Sequence, residues 1–209
     1  MATEIKNTIL EKALTLFFRY GIKSVTMDDI ARELSISKKT LYQFFENKND
    51  LLAQIFAIES NKDEALTNCI VKESSNALDE LFGHAQHGIG ELSKLMSSPW
   101  MIYDFQKYYR EIWSNFEKAM NERIYLHTKN NIERGKKEGL YRMDVDADII
   151  AKLYVSKMLC FIDEDMFPVK KYDKVKLFKQ YLIYHIHGIA TTKGLKKLEE
   201  RLDAFLKTE

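Results

Sequence analysis

The sequence predicts an all-α protein in which a compact group of three helices precedes a larger helical bundle. Three observations predict it. Apolar residues recur at three-to-four spacing along most of the 209 residues, helix breakers are scarce with 2 Pro and 8 Gly, and capping residues crowd the first fifty positions. Hydrophobic residues at 45% and charged residues at 30% suit a folded chain with a sizeable core. The length exceeds a typical domain of about 100 to 150 residues, so two unequal domains are expected, 1–47 and 48–209.

Taken in order, Ile5, Ile9, Leu10, Ala13, Leu14, Phe17 and Phe18 place one apolar face on a helix over 5–20, which Gly21 stops. Thr26, Asp28 and Asp29 then form the start of a short helix over 27–34: the threonine hydroxyl takes a free amide and the acids suit the positive end. Ser35, Ile36 and Ser37 make a turn, Ser37 caps a third helix over 38–45, and Asn47 caps a fourth. Longer helices follow over 48–71, 76–96, 99–135 with one break between 103 and 109, 146–164, 173–191 and 195–206. Ser98 with Pro99 reads as a cap and first helical position, and Gly135 with Gly139 reads as the stop of the long helix. No repeat, low-complexity stretch or strand-like alternation interrupts this series.

Lys plus Arg number 32 against 31 Asp plus Glu, so any nucleic-acid surface must be local. Cys69 and Cys160 lie far apart in apolar helical patterns and are expected as buried free thiols of a reducing compartment. No segment has the pattern of a secretory leader or the ~20 apolar residues of a membrane span, so a cytoplasmic protein without a membrane partner is expected.

The two short helices joined by the turn at 35–37 have the form of a helix-turn-helix, whose second helix enters the major groove. Function therefore concentrates from Ser37 onward. Ser37, Lys38, Lys39 and Thr40 put hydroxyls and ammonium groups at a helix start, where amides and dipole also favour phosphate. Leu41, Phe44 and Phe45 are spaced to anchor the opposite face. Gln43 can make a bidentate contact to adenine when it faces the groove, and Tyr42 can reach phosphate or a thymine methyl group. Spacing leaves open which of them reads bases.

The run Ala13-Leu14, Phe17, Gly21, Thr26 to Ala31, Leu34, Ser37 to Tyr42, Phe44-Phe45, Asn47-Lys48 and Leu51-Leu52 resembles the DNA-binding domain of the TetR family of transcriptional regulators. The resemblance covers the first quarter of the chain; the remainder agrees in length and helical character but carries no motif. It implies that Thr26 and Lys48 hold phosphates and that Ser37, Lys39, Thr40 and Tyr42 face an operator. Lys39 departs from the small residue of many family members and makes contact there more electrostatic. It also implies a homodimer through the helices at about 146–164 and 173–191, whose stripes include Ile149, Ile150, Leu153, Met158, Leu159 and Ile162, then Val175, Phe178, Leu182, Ile186 and Ile189. Two recognition helices about 34 Å apart would then require a near-palindromic double-stranded operator.

Between Met96 and His127 the chain is rich in aromatic residues and Met. Trp100, Tyr103, Tyr109, Trp113, Phe116 and Met120, with His127 as a polar handle, are expected to line a pocket for a small apolar or flat effector, against the plainer reading that they fill the core. His84 and His87 lie one turn apart without a completing acid or thiol, so a solvated face rather than a metal site is expected. His185 and His187 point to different sides of their helix and are expected in core or interface. No cofactor motif, nucleophile elbow, phosphate loop or paired Glu-x-x-His is present, and no catalytic residue is assigned. The alternatives are a helical-bundle enzyme or an interaction module using the region 96–127.

Overall fold

A computed structural model describes residues 2–207; the side chains of Leu159 and Ile162 are among those outside the description. The described residues form ten helices: α1 Ala2–Tyr20, α2 Met27–Glu33, α3 Lys38–Tyr42, α4 Lys48–Glu73, α5 Ala77–Met96, α6 Pro99–Tyr108, α7 Arg110–Lys137, α8 Ala147–Ile162, α9 Lys174–Ile189 and α10 Thr192–Lys207. Tyr141 and Ala190 form an isolated antiparallel bridge. The expected break in 99–135 falls at Tyr109, which closes α6 and whose carbonyl accepts from Trp113 in the first turn of α7. None of the helices searched is long and apolar enough to cross a membrane.

Packing groups the chain into two compact units, Met1–Ala65 with Lys94–Ala119 and Leu66–Ser93 with Met120–Glu209. The helices α4, α5 and α7 each contribute to both, so the grouping follows packing rather than chain order. In the first unit Ile9, Leu10, Ala13, Leu16 and Phe17 of α1 close over Ile30, Leu41, Phe45, Leu51 and Leu52, joined by Met101 and Phe105 of α6. In the second, Leu78, Leu81, Phe82, Ile89, Ile132, Tyr141, Phe178, Leu182, Ile186 and Leu198 form the core.

Within the second unit Arg134 of α7 ties three segments together. Its guanidinium donates to the Ser74 carbonyl at 2.8 Å just past α4, to the buried Glu80 carboxylate of α5 at 2.7 Å and to Glu138 at 2.8 Å. It thus satisfies a carbonyl beyond the end of one helix while neutralising a buried acid on another.

Several details differ from the sequence reading. Gly135 lies inside α7 rather than at its stop: a methyl group there would overlap the ring of buried Tyr141, so the glycine serves close approach. Gly139, with φ of +68°, supplies the left-handed stop, and Leu140 returns its amide to the Gly135 carbonyl at 2.9 Å. Cys69 is exposed rather than buried because α4 turns Leu66, Cys69 and Glu73 outward together; its thiol donates to Glu73 at 3.2 Å, and that carboxylate pushes its pKa up. Cys160 is half-buried, and both thiols are free. His84 is not on a solvated face: it is half-buried, 3.9 Å from Glu80 and with its ring 5.6 Å from that of His127. The α9 stripe of Phe178, Leu182, Ile186 and Ile189 faces the unit's own core, leaving Ile149, Leu153 and Tyr184 outward at 55%, 50% and 77% exposure.

Candidate nucleic-acid interface

The helix-turn-helix is assembled from local chemistry. The Thr26 hydroxyl accepts from the Asp29 amide at 3.1 Å and donates to the Asp29 carboxylate at 2.6 Å, while that carboxylate accepts from the Thr26 amide at 3.0 Å. This reciprocal box fixes the start of α2, and these bonds from Thr26 hold the Asp29 pKa below the usual carboxylate range. After α2 the chain reverses at Ser35, whose φ of +54° puts a non-glycine residue in the left-handed region; its amide donates to the Arg32 carbonyl and the next amide to that of Ala31, each at 3.0 Å. Ser37 then caps α3 by accepting from the Thr40 amide at 3.0 Å.

The helix α3 is shorter than the sequence predicts, ending at Tyr42 rather than reaching Phe45. Gln43 shares its amide between the carbonyls of Lys39 and Thr40, which tightens the last turn, and Phe44 follows with a bond to Leu41. Leu41 and Phe45 are buried and Phe44 is partly so, which seats one side of the segment in the core. Lys38, Lys39, Tyr42 and Gln43 are exposed, and Thr40 is intermediate. Tyr42 leaves 49% of its surface open despite its size. An ion pair joins Lys38 to Asp28, and the Ser37 and Thr40 hydroxyls are 2.7 Å apart.

Lys48 is placed differently from the others. Its ammonium donates to the carbonyls of Ile22 and Val25 and lies near the rings of Phe17 and Tyr109, at 5.6 Å and 5.8 Å from their centroids. Burial pushes its pKa down, opposed by the carboxylates of Asp104 and Asp29. It therefore holds the turn that precedes α2. Thr26 remains exposed at the head of that helix.

Of the aromatic candidates, Tyr109, Trp113 and Phe116 come together in the first unit. Phe105 stacks on Trp113 at 5.7 Å and meets Tyr109 edge-on at 6.3 Å, and Phe56 and Phe116 are 4.6 Å apart. Trp100 and Tyr103 are exposed on α6. Met120 and His127 belong to the second unit and are half-buried there.

Asp104 went unassigned in the sequence and holds the turn between α1 and α2. Buried on α6, it accepts from the Lys23 amide at 2.8 Å, and its Oδ2 would lie 3.2 Å from a Cβ at Gly21. The signal available was a lone acid in the largely aromatic segment 99–109, whose other polar side chains besides the tyrosines are Gln106 and Lys107. No group of three or more His, Cys, Asp or Glu side chains capable of holding a metal occurs among the described residues.

The profile described as bacterial regulatory proteins, tetR family, matches residues 9–55, from the middle of α1 through the first turns of α4. Over these residues the chain is similar to the TetR family. The HTH-type transcriptional regulator YhgD of Bacillus subtilis is 27% identical to this chain over 203 residues, covering 91% of it and 99% of YhgD. The negative transcriptional regulator of the biofilm operon icaADBC, IcaR of Staphylococcus aureus, is 38% identical over 50 residues, 24% of this chain and 27% of IcaR. Among solved structures, a transcriptional regulator of Saccharomonospora viridis in complex with choline superposes with a TM-score of 0.68 at 24% identity, covering 90% of this chain and 99% of that one. The family model and these relatives are described as transcriptional regulators.

Proposed function

We propose that this chain is a TetR-type transcriptional repressor: a homodimer binds a near-palindromic operator through α3 and is released by a small apolar or aromatic effector. The observation that carries this reading is the two-sided α3 segment, with Leu41 and Phe45 buried and Lys39, Tyr42 and Gln43 exposed beside the capped turn. The Lys39 ammonium and the Thr40 and Ser37 hydroxyls are suited to phosphate, and the Gln43 amide and Tyr42 ring to base edges. Repression is supported by the negative regulation named for IcaR, which is 38% identical over 50 residues of this chain.

Outward Ile149, Leu153 and Tyr184 on α8 and α9 support pairing of two copies there, which would present two recognition helices about 34 Å apart to successive grooves. Choline bound to the Saccharomonospora viridis regulator supports a small organic effector for this fold. The Phe105, Tyr109, Trp113 and Phe116 group offers flat apolar walls for one. An effector releases DNA only when it prefers the state that does not bind the operator.

Fluorescence anisotropy with duplexes from the region upstream of the chain's own gene tests the reading. The wild type is expected to bind with an affinity that falls with salt, and Tyr42→Ala to weaken operator binding by about 1–3 kcal/mol, roughly 5- to 150-fold. A folded protein that binds no duplex sinks the proposal and returns attention to protein interaction.

A further inference from the structure

Beside the helix-turn-helix, the turn after α1 and the joint between α6 and α7 carry a second cationic surface. Lys23 stands exposed in that turn, with its backbone amide pinned by Asp104 at 2.8 Å. Its ammonium donates to the Tyr108 hydroxyl at 2.9 Å and sits 4.4 Å from that ring's centroid. Lys107 donates to the Tyr103 hydroxyl at 2.5 Å and also lies 5.5 Å from the Tyr108 ring. Arg110 opens α7 beside them in sequence and is exposed.

The segments 19–23 and 107–110 hold Arg19, Lys23, Lys107 and Arg110 and no acid. Asp104, the acid between them on α6, is turned inward and engaged by the Lys23 amide. The position of this surface is set by Lys48, whose ammonium grips the carbonyls of Ile22 and Val25 on either side of Lys23 and approaches Tyr109. Thr26, at the head of α2, follows Lys23 by three residues. Lys23 therefore stands close to where α2 and α4 begin.

We propose that Lys23, Lys107 and Arg110, steadied by Tyr103 and Tyr108, contact the DNA phosphate backbone outside the stretch read by α3. This inference rests on the operator-binding reading above. A lysine ammonium has three donors, so one bond to a tyrosine oxygen leaves two for phosphate. A side chain already held by a ring and a hydroxyl loses less rotamer freedom on binding than a free one. The hydrogen bond from Lys23 also lowers the Tyr108 pKa, in keeping with a positive local field. Backbone contacts of this kind add affinity without sequence preference.

The test compares the full-length wild type with Lys23→Gln/Lys107→Gln, Arg110→Gln, Lys23→Arg/Lys107→Arg and Tyr42→Ala by anisotropy across a potassium chloride series. Operator and unrelated duplexes are both used, and thermal melts check folding. The double glutamine variant is expected to bind both duplexes more weakly by the same factor, and the slope of log K against log salt to shrink by about 1.8 for two lost phosphate contacts. Arg110→Gln should remove about 0.9, and the double arginine variant should keep the wild-type slope. If the wild type binds and Tyr42→Ala weakens it while the glutamine variants keep the wild-type slope, the second surface is overturned and the operator reading stands. A wild type that binds no duplex overturns both. Loss of binding to poly-glutamate with unchanged DNA slopes would reassign the surface to an acidic protein partner. Should the double variant melt early, Arg110→Gln decides.

Discussion

His185 is enclosed by the rings of Tyr154 at 4.9 Å and Tyr181 at 6.1 Å, and burial pushes its pKa down to about 4. An unfolded chain binds that proton near pH 6.5, so between about 6.5 and 4 the unfolded state carries more protons than the folded one. The stability tied to the neutral imidazole is whole above about pH 6.5 and falls as the pH drops toward 4, by at most about 1.4 kcal/mol per unit. Urea melts of the wild type across that window should show the decline, and His185→Gln should flatten it; equal slopes would discard the assignment. Asp148, held down to about 2 by Lys152 first and then by Tyr125, acts in a separate window, because its contribution is lost only as the pH falls from about 3.8 toward 2. The sequence placed both His185 and His187 in core or interface; His185 is enclosed, whereas His187 is exposed, its Nδ1 lying 2.8 Å from the Ile183 carbonyl oxygen. The sequence could not assign Asp104 or the inward turn of Lys48, since their partners are turns and carbonyls 23 to 81 residues distant along the chain.

Helices were legible where their ends carry local chemistry. Thr26, Ser37, Asp146 and Asp173 each accept amides of the turn that follows, and Gly21 and Gly139 supply positive φ where the chain leaves α1 and α7. Ser98 shows the limit of such reading: it precedes α6 as a cap should, yet its hydroxyl donates to the Phe18 carbonyl at 2.9 Å and caps nothing. Joints made by distant side chains were likewise invisible, and the Arg134 tie is the chief one. Removing the guanidinium strands the buried Glu80 carboxylate and the Ser74 carbonyl, so Arg134→Ala should lower the free energy of unfolding by about 3 kcal/mol in chemical denaturation. Arg134→Lys should recover only part of it, because an ammonium cannot span the same fork. A loss below about 1 kcal/mol for the alanine variant would mean that the tie is dispensable.

At the scale of the molecule, the near-balance of 32 basic and 31 acidic side chains conceals a local division of labour that composition alone could not express. The apolar stripe on α9 was visible in the sequence, but its periodicity could not say whether core or partner covers it; Phe178, Leu182 and Ile186 belong to the core. What the proposed dimer would use is the outward set Ile149, Leu153 and Tyr184. Leu153→Glu with Tyr184→Glu should therefore cost about 2 kcal/mol or more per interface, roughly 30-fold or greater in dimer dissociation, and reduce the mass seen in sedimentation to that of one 24.6 kDa chain. An unchanged mass would move the interface elsewhere. The stacking of Phe105 on Trp113 has a practical corollary. Both tryptophans of the chain, Trp100 and Trp113, fall in the unit that carries α2 and α3, one with its indole N–H on the Phe18 carbonyl and the other against an aromatic stack. Indole emission is thus a built-in optical label for that unit, whereas far-ultraviolet ellipticity reports helices throughout. Melts followed by the two signals side by side distinguish one cooperative unfolding event from two, without any dye attached.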